Sequence, residues 1–386
     1  MRRLRQLRNT ARLAMEARGE RITARGMGLG SRQPLTVRYL GLPGYFEHLA
    51  PRLFEGSVEE LERESAWNGL AFRQFEDSKM HKEGLDLLIA HLPRPYGHLV
   101  GGRALEVPCW IIQKAQLDRP WDDVVASFRK NTRTTDLRKV RKYSLTPHIT
   151  RDLSDIRDFY DRMYVPHAKR RFGPLSVVDD FDEVVEDVKS RGELLLVHYE
   201  GAAVGGCELV SDGQYMQLLS LGVVDELPPS VADAALSGIY LFALQHAHAR
   251  GCRELGFALT LPNVKDGIYR YKRKWGTAIH DDFSESSFFW QPRTFGVAVQ
   301  AFLVEHPWMY RSPAGLVAKV LLPGPIDSRE LHRLAEGYIS PGLARVEFYG
   351  HHADPRPPSN RDALPYVTWH DLSTTDDALR LFCRAD

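Results

Sequence analysis

No run of apolar residues in this chain approaches the ~18 that a membrane-spanning helix needs. Its longest greasy pieces, "LLSLGVV" and "GIYLFALQHA", are the size of core elements. Cysteine is scarce: Cys109, Cys207, Cys252 and Cys383 lie far apart and form no CxxC or Cys/His zinc spacing. Neither a disulfide framework nor a metal site is therefore expected, and a reducing, cytoplasmic setting fits. Excess charge is missing too. Fifty-one Lys and Arg against 50 Asp and Glu leave a net charge of +1, so any basic site has to be local. The N-terminus has no secretory apolar region.

A length of 386 residues allows two domains with a small appendage, and 43% apolar and 26% charged residues describe an ordinary globular protein. Residues 1–34 carry an Arg-rich stretch, with nine arginines against two glutamates in the first 32 residues. It reads as a basic arm; an interfacial helix making weak membrane-surface contact, or a presequence, are the alternatives. Residues 35–144 read as a first α/β unit. "LTVRYL" alternates as a strand, "PGYFEHLAPRLF", "VEELERESAWNGLAFRQFEDS" and "HKEGLDLLIAHL" as helices, and "LEVPCWIIQKAQL" as a strand. Residues 293–386 read as a helical and loop extension that packs on the catalytic domain or forms an oligomer face. The adjacent His351 and His352 lack the partners a metal needs.

Residues 145–292 are more informative. After a helix opening at Pro120 comes a strand, "LTPHITR". Two helices follow, "DLSDIRDFYDRMYVPHAKRRFG", capped by Asp152 or Ser154, and "VVDDFDEVVEDVKSRG". Three strands then succeed one another, "ELLLVHY", "AAVGGCELV" and "QYMQLLSLGVV", joined by hairpin turns at "EGA" and "SDGQ". Ser230 is expected to cap the long helix "SVADAALSGIYLFALQHAHARG". A strand "CRELGFALT", a short helix in "DGIYRYKRKWG" and a last strand "GTAIHDDFSESSFFW" complete the order β-α-α-β-β-β-α-β-α-β.

That order matches GNAT-type acyltransferases. "FRKNTRTTDLRKVRKYSLTPHITRD" resembles the basic helix-to-strand segment that opens the second domain of Fem-type proteins. "IYLFALQHAHARGCRELGFA" followed by "DGIYRYKRKWG" resembles that family's long helix, strand and aromatic-Lys pair before a glycine. The resemblance covers about 105–290. It implies two GNAT-like domains in tandem, an α/β fold with mixed central sheets flanked by helices, and acyl transfer from an activated donor. The donor is acyl-CoA in one branch and aminoacyl-tRNA in another, where the lysine of the aromatic-Lys pair helps stabilise the reacting carbonyl. Lys272, preceded by Tyr271, is the matching position.

Acyl transfer needs a base for the acceptor amine, hydrogen-bond donors for the carbonyl oxygen and a proton for the leaving group. In a GNAT-like fold the fourth and fifth strands splay, and exposed N–H groups on the fourth hold the thioester. Here that places the donor at Leu219, Ser220 and Leu221, facing Gly256–Ala258. Tyr269, one helical turn from Lys272, is the candidate proton donor, and core packing is its bland alternative. Arg273, on the same short helix, is a candidate for donor phosphates, with a solvated face as the plainer reading. Glu208, mid-strand in "GGCELV", is the candidate base if it faces a cleft, and an outward strand residue otherwise. His167 is a candidate on the substrate side or simply a helix-terminal histidine. Asp266 suits a helix cap.

One part of the pattern is missing. The turn before the long helix reads "VVDELPPSVAD", with no glycine, two prolines, and Asp225 and Glu226 where a pyrophosphate would sit. Basic residues elsewhere can compensate. "FRKNTRTTDLRKVRK" has seven cations and one acid, which makes Arg138 and Arg141 candidates for the donor's phosphates, or members of a solvated face. The expectation is an N-acyltransferase with acyl-CoA as co-substrate, no permanently bound cofactor, and a small-molecule or sugar-nucleotide amine as acceptor. An aminoacyl-tRNA-dependent ligase, with tRNA or a carrier protein as donor, is one rival. A degenerate GNAT fold that only binds a partner is the other.

Overall fold

A computed structural model describes residues 19–42, 44–64, 84–94, 104–173, 176, 178–281, 284, 286–350, 366–372 and 382. Expectations for residues 1–18, for "SAWNGLAFRQFEDS" and for "HHADPRPPSNRDALP" lie outside them. The fold is mixed α/β, with three sheets flanked by helices. The chain forms two compact units. One comprises Met1–Ile111, Leu261–Tyr269 and Asp281–Asp386, the other Ile112–Thr260 and Arg270–His280. These limits differ from the sequence boundaries at 144/145 and 292/293.

In the first unit a six-stranded sheet has the order β3-β1-β2-β4-β13-β5. The strands are β1 (Glu20–Gly28), β2 (Pro34–Gly41), β3 (Phe54–Glu64), β4 (Leu87–Pro93), β5 (Leu105–Pro108) and β13 (Ser286–Pro292). Helix α1 (Tyr45–Leu53) is where the sequence puts it. Part of the expected basic arm is instead an inner strand. β1 lies between β2 and β3, with Ile22 and Ala24 fully buried, and Arg21 meets Glu62 of the acidic edge strand at 2.9 Å. Two expected helices are strands where they are described. "VEELERE" forms β3, whose partner β1 answers its glutamates. "LLIAHLP" is β4, buried almost throughout, and a short apolar run cannot be assigned to helix or strand by periodicity alone.

The C-terminal region is not a helical extension either. Helix α9 (Val297–Glu305) is followed by β14 (Met309–Ser312), β15 (Gly315–Leu321), β16 (Leu343–Gly350) and β17 (Val367–Asp371) in one sheet, with α10 (Ser328–Tyr338) between β15 and β16. The single strand expected in "GTAIHDDFSESSFFW" is two. β12 (Ala278–His280) pairs with β6 (Ile111–Gln116), while β13 pairs with β4 and β5.

The second unit holds a seven-stranded sheet, β12-β6-β11-β10-β9-β8-β7. Its further strands are β7 (Thr146–Thr150), β8 (Gly192–Tyr199), β9 (Ala202–Asp212), β10 (Tyr215–Val223) and β11 (Glu254–Thr260). β7 to β10 form an antiparallel meander, and β11 returns parallel to β10. The hairpin at Glu200–Gly201 has both central residues at positive φ, 51° and 82°, as a type I′ turn requires. On one face lies α7 (Pro229–Ala249), whose Ala234, Ala235, Ile239, Ala243 and Leu244 are buried against Leu195, Val197, Cys207 and Leu218. Pro228 starts this helix, so Ser230 is inside its first turn rather than its cap.

Two helices expected to be continuous are interrupted. The first runs α2 (Trp121–Ala126), a π turn (Thr132–Asp136) and α3 (Leu137–Lys142). On the second face of the sheet, α4 (Leu153–Asp158) passes through a π turn (Phe159–Tyr164) into α5 (Val165–Phe172). Pro166 lacks the N–H that an unbroken helix would use, which suits a widened turn just before it. Helix α6 (Phe181–Arg191) completes that face, and α8 (Gly267–Arg273) follows β11. The element order expected over about 145–290 is therefore present as far as β12, and its last strand is divided between β12 and β13.

Candidate active site

β10 is paired with β11 only over Tyr215–Leu218, against Glu254–Phe257. Yet β10 runs on to Val223 and β11 to Thr260, so the strands part after Leu218 and Phe257. The register against β9 slips at the same place. Leu218 faces Leu209 and Leu221 faces Cys207, which leaves Leu219 and Ser220 bulged opposite Glu208. The expected parting, and its placement at Leu219–Leu221, agree with this geometry.

Glu208 is fully buried. Strand alternation turns it away from Cys207 and Leu209, which pack toward α7, and onto the face covered by α4 to α6, where its cross-strand neighbour Leu194 packs with Phe159, Met163 and Tyr164. It is not an outward strand residue.

Tyr160, Tyr164 and Asp179, which the sequence did not single out, gather there with Ser220. Tyr164 ends the π turn. Its hydroxyl accepts from the Asp179 N–H at 3.2 Å and donates to Asp179 Oδ2 at 3.5 Å. Ser220 Oγ, from the bulge, donates to the same carboxylate at 3.3 Å. Tyr160 donates to the Asp179 carbonyl at 3.0 Å. Burial pushes the Tyr164 phenol above its ordinary range; the Ser220 and Asp179 N–H contacts pull it back, and the Asp179 and Glu208 carboxylates push it up again. Glu208, Tyr164, Asp179 and Ser220 are thus one polar cluster in an apolar wall. Gly222 makes it possible: a Cβ there would run into the backbone of Met163 and Tyr164, so only glycine lets the π turn lie on β10. The available signals were faint. Pro166 marks the π turn, and Asp179 precedes the Asp180 that begins α6.

His167 sits half-buried on α5, with Nδ1 3.3 Å from an Arg170 guanidinium nitrogen. Burial first, then Arg170 and Arg171, push its imidazole down to about 4, so it is neutral at pH 7. Arg170 also pairs with Asp225 of the turn before α7. The acidic turn is therefore answered by the protein's own cation.

The stretch "DGIYRYKRKWG" is largely interior. Asp266 caps α8 through the Tyr269 N–H at 2.8 Å, and Tyr269 is fully buried. Lys272 is 3% exposed. Its Nζ donates to the carbonyls of Phe257, Ala258 and Leu259 at 3.2, 2.8 and 3.1 Å and to Thr260 Oγ1 at 2.9 Å. The ammonium thus closes the end of β11, where no neighbouring strand of β10 continues the ladder. Arg273 is buried as well. Lys274 lies 3.0 Å from buried Asp136 and over the Tyr271 ring, and Trp275 stacks on Tyr240. Arg138 and Arg141, on α3, are exposed.

No family model matches the chain, and no curated protein does. Among solved structures it is similar to FemX (TM-score 0.39, 14% identity, covering 67% of this chain and 81% of that one). It is also similar to L-PGS from Bacillus licheniformis (0.35, 12%, 69% and 81%). A third is a tandem GNAT protein from the clavulanic acid biosynthesis pathway (0.31, 12%, 71% and 80%).

Proposed function

We propose that the chain is an acyltransferase that moves an acyl group from a pantetheine thioester, of which acyl-CoA is the simplest, to an amine. The parting of β10 from β11 beside buried Glu208 carries this reading. A strand that loses its neighbour turns backbone N–H groups toward the gap, and an extended thioester arm can take the vacated ladder positions. The N–H groups near Leu219 and Ser220 are then the donors for the carbonyl oxygen as charge develops on it.

Glu208 is the base. It takes the proton of the acceptor amine as the nitrogen attacks the thioester carbon. The tetrahedral adduct collapses with cleavage of the C–S bond, the sulfur leaves as a thiol after protonation, and an amide remains. Tyr164, held by Asp179 and Ser220 in the same cluster, is the group placed to return that proton. The full burial of Tyr269 and the four protein oxygens around Lys272 Nζ support structural work for these two residues.

The test is thiol release, followed colorimetrically with acetyl-CoA and a panel of primary amines. The wild-type protein should release thiol in step with amide formation. Glu208→Gln, which keeps the shape and removes the base, should lower kcat by roughly 10²–10⁴-fold with little change in KM. No thiol release with any amine, before and after RNase treatment, would sink the reading. RNase-sensitive transfer of an aminoacyl group from charged tRNA, an oxygen ester that releases a hydroxyl and no thiol, would move it to an aminoacyl-tRNA donor.

A further inference from the structure

The opening helices of the second unit present a face that the chemistry above does not use. Phe128, Thr132, Asp136 and Val140 are buried, one every four residues. They anchor the segment on both sides. Thr132 Oγ1 donates to the Lys274 carbonyl at 3.1 Å. Toward α7, the Tyr143 phenol meets Ser230, Lys139 Nζ lies 3.4 Å from Asp233, and Ser237 Oγ lies 3.5 Å from Asp136. The segment therefore runs along the first turns of α7, with its other side turned to solvent.

That solvent side is cationic. Lys130, Arg133, Arg138, Arg141 and Lys142 are all exposed, and among the described residues none has a carboxylate partner. Asp136, the one acid of the stretch, is buried against Lys274. Five unanswered cations on one short face contrast with a chain whose total is +1. Their anion is not a diphosphate at the β10–α7 turn. There Asp225 already occupies Arg170, Glu226 adds negative charge, and Pro228 and Pro229 offer no N–H groups.

We propose that this face docks an acidic carrier protein, which presents the acyl group as a phosphopantetheine thioester at the parting of β10 and β11. The proposal rests on the acyl-transfer reading for the thioester, and on the face alone for the protein. A phosphopantetheine arm has one phosphodiester and needs no pyrophosphate cradle, and the rest of the negative charge lies on the carrier's surface, where a spread of cations meets it. A single-stranded RNA end fits less well. Such ends are held by stacking on aromatic side chains, and among the described residues no aromatic between 121 and 260 is an exposed large apolar residue.

Binding of the full-length protein would be measured by calorimetry at low salt, with three probes: a purified acyl carrier protein without its arm, an RNA hairpin the length of a tRNA acceptor stem, and CoA. The carrier protein should bind, and its affinity should fall steeply with salt. R138E/R141E should weaken it at least tenfold at an unchanged melting temperature, and Arg133→Ala by a smaller factor. Equal binding by the charge-reversed protein would overturn the proposal. So would failure of the carrier protein to bind at low salt, or binding of the hairpin in its place. Thiol release by the wild-type protein from acetyl-pantetheine, which has no phosphate, tests the reaction separately. Carrier binding without thiol release refutes acyl transfer and keeps the surface; thiol release without carrier binding does the reverse.

Discussion

Lys272 shows how a residue's surroundings decide between two roles that its type allows. A lysine that polarises a substrate carbonyl needs a free N–H; here three N–H groups face four protein oxygens within 3.2 Å. Lys272→Met removes those partners and leaves buried carbonyls without donors, so it should cost about 3 kcal/mol of stability in urea unfolding. Turnover per folded molecule should change little. An unchanged urea midpoint with activity lost would return Lys272 to the reacting carbonyl. His91 supports a second prediction at this scale. It is 1% exposed, stacked on Phe288 at 4.7 Å and close to Tyr45, with Nε2 3.0 Å from Ser286 Oγ. Burial pushes its imidazole down to about 3. The folded state keeps it neutral while the unfolded chain takes up a proton below about 6.5, so the unfolded state binds more protons and stability falls as pH drops from there toward 3. The cost is about 1.4 kcal/mol per pH unit. Between pH 6.5 and 4.5 wild type should therefore lose about 2 kcal/mol more than His91→Phe, the slope reaching its full value only below about pH 5.5. Equal losses would mean that the native protein protonates His91.

Elements were legible where their signals were local. The two hairpins declared themselves through Glu-Gly and Asp-Gly turns. The long α7 stood out as an apolar stretch closed by Gly251, and the meander followed from three alternating runs between those marks. The fold that this order resembles put the parting of β10 and β11 around Leu218–Leu221. Glu208 was legible only as a base or an outward strand residue, and its burial depends on what packs over it. The rest of the site was hidden because it depends on contacts between elements. Tyr164 reaches Ser220 only because Gly222 has no Cβ, and "SLGVV" does not say what will lie against its glycine. Asp179 looked like the first turn of a helix that in fact begins at Phe181. The misread elements have two causes. "VEELERE" has the composition of a helix, but Arg21 of the neighbouring strand pairs with Glu62 and Glu64, and tertiary pairing overrides propensity. "LLIAHLP" is buried on both faces, so the alternation that marks a strand is absent.

At the scale of the whole chain, sequence order and structural units are interleaved. β12 and β13 are separated by five residues yet belong to different sheets. A boundary drawn at 145–292 therefore cuts the second unit in the wrong places. It omits β6, which lies between β11 and β12, and it omits Val124, Phe128 and Val140, which pack in one core with Trp275. Phe128 and Trp275 form an edge-to-face ring pair at 5.4 Å. The same boundary keeps β13, whose partners β4 and β5 it leaves behind. A fragment of residues 145–292 should accordingly aggregate and show no cooperative transition when heated and followed by circular dichroism. A fragment of residues 112–280 retains all seven strands of the sheet and should melt in a single sigmoidal step. A monomeric 145–292 fragment with a sharp transition would show that β6 and the helices of 121–142 are accessory to this unit. The cationic face would then be an attachment to the second unit, whereas the buried pairing of Asp136 with Lys274 makes it part of that unit's core.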